Sequence, residues 1–140
     1  MDIAHLVQSS VAPVFLLSGV AATLGVLTNR LGRVVDRARM LEGRLAGLPG
    51  GERALHHELA VLARRARYIY TAISLCAIAA LLVALVVVAL FANAFIGVSL
   101  GTTIAILFVG AMVCLSAAFI VFFVEVRIAI AALRIGLSAS

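Results

Sequence analysis

Apolar positions along this chain gather into three long uncharged stretches, at 3–29, 68–93 and 98–124, with an arginine-rich periodic segment between the first two. A helix needs about 20 consecutive apolar residues to cross a hydrocarbon core, so each stretch predicts a transmembrane helix. Gln8, Ser9, Ser10 and Pro13 interrupt the first, which places its spanning part at 11–29 and leaves 1–10 as an outer interfacial segment. Pro13 would then fall early in the membrane helix, where a missing N–H costs little. The second and third spans are placed at 68–92 and 100–124, joined by an outer loop at 93–99, with a terminal helix over 125–140.

The segment 30–67 has a different rhythm. Leu27, Leu31, Val34, Ala38, Leu41, Leu45 and Leu48 recur at alternating spacings of four and three, and so do Leu55, Leu59, Leu62, Ala66, Ile69 and Ile73. These are two heptad seams. Between them Gly47, Pro49, Gly50, Gly51 and Glu52 supply a helix stop, a turn at 47–51 and an acid for the next helix start. Folding back at that turn sets Leu41 against Leu59, Ala38 against Leu62 and Leu31 against Ile69. The fold class that follows is an all-α membrane protein. Its first two transmembrane helices extend beyond the bilayer as an antiparallel coiled-coil hairpin, in which water, not lipid, drives leucine against leucine.

Composition agrees with lipid as the main solvent. Of 140 residues, 65% are hydrophobic and 12% charged, where soluble domains sit nearer half and a quarter. All eleven basic residues are arginine and the net charge is +5. Nine of the arginines lie between Arg30 and Arg67, and Arg127 and Arg134 follow the third stretch. The positive-inside rule therefore puts the hairpin and the C-terminus in the cytoplasm and the N-terminus outside. The apolar run at the N-terminus is followed, not preceded, by arginine, which reads as a retained anchor rather than a cleaved signal.

The arginines bear on function. Arg30, Arg33, Arg37, Arg64, Arg65, Arg67 and Arg127 are candidates for contact with anionic lipid or another anionic ligand. No aromatic residue interleaves them, which argues against nucleic acid. Asp36, near Arg33 and Arg39 on its own arm and Arg64 and Arg65 on the other, is expected to form a structural ion pair. Glu125, at the inner end of the third span, needs a cation at that depth, and Arg30, Arg67 or Arg127 could supply it. Small residues Ser18, Ala22 and Gly25, followed by Asn29, form a stripe on the first span that suits either an interface or a pore lining. Gly101, Ala105, Gly110, Cys114 and Ala118 form another on the third. Cys76 and Cys114 read as small packing residues, and Asn93 as a cap at the outer end of the second span. His5, His56 and His57 do not converge as metal ligands, and no phosphate loop or nucleophile–base pair is present. The residues point to no enzyme, metal or cofactor.

The stretch from Val11 to Leu45, with Pro13, Gly19, Gly25, Asn29, Arg30, Arg33, Asp36 and Arg37, resembles a bacterial family of small uncharacterised integral membrane proteins, a domain-of-unknown-function family. The block Leu62 to Arg67 and the terminal "EVRIAIAALRIG" are similar too, so the resemblance runs from about Ile3 to Gly136. It implies a bacterial inner-membrane location and no established activity. Two readings of function follow. One is a non-enzymatic, homo-oligomeric scaffold or sensor whose basic cytoplasmic hairpin meets the inner leaflet or a cytoplasmic protein partner. The alternative is a homo-oligomeric ion channel in which the arginines favour anions, with Ser18, Ala22, Thr23, Gly25 and Asn29 along its lumen.

Overall fold

The computed structural model describes residues 3–45, 47 and 52–138, and for Leu45, Glu52 and 134–138 only the helix path. It consists of three helices, α1 (Ile3–Leu45), α2 (Glu52–Ile96) and α3 (Gly101–Ser138), running up, down and up. All three are long and apolar enough to cross a membrane. At 1.5 Å per residue α1 and α2 are each about 65 Å long, roughly twice a hydrocarbon core. Each is therefore long enough to hold a span and an extension in one unbroken piece. Residues 3–10 belong to α1 without a break, and Pro13 lies buried inside that helix rather than near its start. Pro49 and the predicted turn residues 48–51, the Leu45–Leu55 layer, Leu48 and the Arg134 side chain lie outside the described residues.

Packing follows a seven-residue repeat. In α1 the buried residues include Leu6, Pro13, Val20, Leu27, Val34 and Leu41, each seven after the last. In α2 all but Ala89 form two series one turn apart: Leu62, Ile69, Cys76 and Val83, and Ala72, Ala79 and Val86. In α3 Ala111, Ala118 and Glu125 repeat likewise, with Leu115 beside them. A seven-residue period keeps the same edge of a helix turned to its neighbour along the whole length. Helix α2 is the middle element: α1 and α3 each pack along it and meet one another far less. One apolar cluster holds the predicted seam residues Leu27, Leu31, Val34, Ala38, Leu41, Leu55, Leu59, Leu62, Ala66, Ile69 and Ile73 together with Leu115 and Ala118 of α3.

The end opposite the hairpin is closed by local chemistry. Helix α2 continues to Ile96, four residues past the expected limit of its span, because the stop is Gly97, whose φ of 74° no β-carbon-bearing residue adopts cheaply. The Leu100 N–H donates to Asn93 Oδ1 at 3.0 Å, which ties the connection to the last turn of α2. A β-carbon added at Gly110 of α3 would only come into ordinary van der Waals contact with Leu82 of α2, at 3.5 Å, so α3 faces α2 at this residue.

Candidate functional site

The site lies where the arginine-rich lengths of α1 and α2 join their uncharged lengths. Glu125 occupies a position in the seven-residue series of α3 that Ala111 and Ala118 fill further along, and its side chain is 0% exposed. An ionised carboxylate there requires cations with good geometry. Both oxygens are engaged. Arg30 Nε of α1 donates to Oε2 at 2.6 Å, and Arg65 Nε of α2 donates to Oε1 at 3.0 Å. The Arg30 guanidinium also lies over the Phe122 ring of α3, 5.5 Å from its centroid. One carboxylate thus ties all three helices at a single level, and it supplies the tie between α1 and α3 that backbone packing does not.

The helix faces explain why these residues meet. Arg65 precedes Ala72 by seven residues, so it continues the α2 series that includes Ala72, Ala79 and Val86. In an antiparallel pair, the register that joins Arg65 to Glu125 also sets Ala72 against Ala118 and Ala79 against Ala111. All four alanines are buried, and small layers of this kind let α2 and α3 approach closely. Of the partners expected for Glu125, the structure brings Arg30; in place of Arg67 or Arg127 it brings Arg65. The missed signal was that seven-residue step from Arg65 to Ala72.

Other candidate residues are placed differently. Asp36 is exposed and forms no ion pair among the described residues, which corrects the expected pairing with Arg33, Arg39, Arg64 or Arg65: it faces away from α2. Arg37 instead meets Glu58 across the arms at 3.1 Å, and with both side chains nearly half exposed this pair contributes little stability. Arg33, Arg64, Arg67 and Arg127 are exposed, within a few residues of the Glu125 level, and have no acidic partner among the described residues. Arg127 lies over the Phe123 ring at 6.0 Å. Together they form a basic collar around the buried triad.

Ser18, Ala22, Gly25 and Asn29 are all exposed on α1, on the side turned from α2. They belong to a second seven-residue series, Gln8, Val11, Phe15, Ser18, Ala22, Gly25, Asn29, Gly32, Asp36, Arg39 and Gly43, exposed at every position. Its middle part is shallowly concave, lined by Leu24, Gly25, Thr28, Asn29, Gly32, Arg33 and Asp36. The hydroxyls of Ser18, Thr23 and Thr28 donate to carbonyls four residues back in the same helix. By contrast Cys114 and Ala118 of the α3 stripe pack into the core, while Gly101 and Ala105 are exposed.

Among the described residues no three His, Cys, Asp or Glu side chains converge as metal ligands, and both cysteines are free. A carboxylate whose two oxygens are both held by guanidinium N–H groups is arranged as a structural tie.

A family model described as a protein of unknown function, DUF2721, matches residues 10–135. No curated protein and no solved structure matches the chain.

Proposed function

The chain belongs to the DUF2721 family, and from its geometry we propose that it is a non-enzymatic, homo-oligomeric scaffold or sensor of a bacterial inner membrane. In this reading the α1–α2 hairpin is an antiparallel coiled coil in the cytoplasm, the N-terminus is outside and the C-terminus inside, as the arginine distribution requires. The observation that carries it is the split among the arginines. Arg30 and Arg65 are committed to Glu125, while Arg33, Arg64, Arg67 and Arg127 stand exposed around them. The triad fixes the depth of the helices, and the collar meets the phosphates of an anionic leaflet, each arginine contributing about 1 kcal/mol.

The test uses purified protein in neutral detergent. Adding phosphatidylglycerol should raise the unfolding temperature well above the effect of phosphatidylcholine. Replacing the four collar arginines together by glutamine should remove that difference, at up to ~4 kcal/mol in all. Equal stabilisation by both lipids, or an unchanged response in the fourfold variant, refutes the collar.

One observation favours a channel as a second reading. The four small and polar residues Ser18, Ala22, Gly25 and Asn29 face outward together. A ring of protomers that turned this side inward would line a lumen with them, and the collar would favour anions at its mouth.

A further inference from the structure

The buried triad is not neutral. Two guanidinium groups and one carboxylate leave an excess of one positive charge, at a place where the arginine side chains are only 30% and 21% exposed. No second acid offsets it: among the described residues Asp36 faces away from α2 and Glu58 is held by Arg37. Each arginine also has donors left over. A guanidinium carries five N–H groups in a fixed fork. Arg30 and Arg65 each give Glu125 the Nε–H alone, and among the described residues their Nη groups have no hydrogen-bond partner. One flank of Arg30 is the Phe122 ring, which supplies no oxygen acceptor.

Resting on the reading that this level of the molecule lies at the surface of an anionic leaflet, we propose that Arg30 and Arg65 together bind one phosphate group through the Nη–H groups that Glu125 leaves free. The geometry selects the ligand class. Both Nε–H groups converge on one carboxylate from two helices, so the two forks are held as neighbours. A tetrahedral phosphate presents oxygens in several directions and accepts from two such forks at once, and the guanidinium fork matches its oxygens in pairs. Water can accept from the same N–H groups but leaves the excess charge, whereas an anion satisfies both. Glu125 is then a positioning residue. It orients the two forks and cancels one of their two charges, so the pair is assembled before the ligand arrives and binding needs little further ordering. The separate, exposed arginines of the collar have no such common anchor. Both side chains of the pair reach the surface, which gives a phosphate access from outside.

The test titrates the full-length chain in neutral detergent with inorganic phosphate against chloride at constant ionic strength, read by phosphorus NMR line broadening. Phosphatidylglycerol added afterwards distinguishes the two sources: displacement of the bound phosphate identifies a lipid headgroup, and no displacement identifies a free ion. Arg30→Lys with Arg65→Lys keeps a cation for each oxygen of Glu125 but removes the forks. It should weaken phosphate binding about tenfold or more, the size of lost charge-assisted hydrogen bonds. Glu125→Gln should act in the opposite direction. With one negative charge removed at ~5 Å, binding should tighten about fourfold or more even at the dielectric constant of water. A purely structural Glu125 predicts no such gain. All variants are compared in a Cys114→Ala background at a temperature where Cys76, buried in the core, stays protected from a thiol-reactive dye. The collar variant, with Arg33, Arg64, Arg67 and Arg127 replaced by glutamine, keeps both forks and should still bind inorganic phosphate, so failure of the collar and failure of this site are read separately. Binding unchanged in the double-lysine variant, weakened in Glu125→Gln, or lost only in the collar variant overturns the site, as does an unaltered chain that prefers phosphate no more than chloride.

Discussion

At the scale of single residues, Glu125 decides how the third helix is held. A fully buried carboxylate is costly by itself and is stabilised here by two guanidinium groups that are 30% and 21% exposed. Removing one member strands the others. Glu125→Leu should lower stability by about 3 kcal/mol, toward the low end for a broken buried pair because both arginines reach the surface. The triple replacement of Arg30, Arg65 and Glu125 by leucine should recover most of that loss, since apolar side chains of similar size serve such a position well. Thermal exposure of Cys76, buried in the core, to a thiol-reactive dye in a Cys114→Ala background measures both. If the triple variant were as unstable as Glu125→Leu, the triad would contribute more than docking.

At the scale of elements, α1 has two faces built on one period. The inner series from Leu6 to Leu41 is buried against α2, and the outer series from Gln8 to Gly43 is exposed throughout. Beyond the Glu125 level about 15 residues of α1 extend roughly 20 Å, and in the proposed cytoplasmic setting each large apolar side chain buried there contributes ~1.5–3 kcal/mol. Leu41 is 1% exposed within that part. Leu41→Asp should therefore open the arms and speed tryptic cleavage at Arg44 and Arg53, while the membrane-crossing parts stay inserted and resistant to alkaline extraction. Unchanged resistance of the arms would mean that the seam does not hold them. The arm seams were legible because both lie in one stretch and no charge falls on a seam position.

At the scale of the whole molecule, only 17%, 22% and 17% of the best membrane-crossing window of each helix is buried within one chain. The rest is open to lipid or to other protein surfaces. The scaffold reading has no lumen, so vesicles containing the purified protein should show no chloride flux above empty vesicles. A flux that Arg33→Glu reduces would favour the ring and its pore. The outcome distinguishes the scaffold from the channel.

The sequence by itself determined the three spans, the two arm seams and the concentration of arginine at one end, because length, period and charge are local properties that solvent reads directly. It left Asp36 and Glu125 looking alike, as acids near several arginines. Tertiary structure separated them. The alanine layers of α2 and α3 turn Glu125 inward to Arg30 and Arg65, whereas the orientation of α1 turns Asp36 outward. Which side of a helix meets a neighbour depends on the register between helices, and for α3 that register is fixed by small buried residues and one ion-pair triad, whose faces become distinct only once the helices are packed.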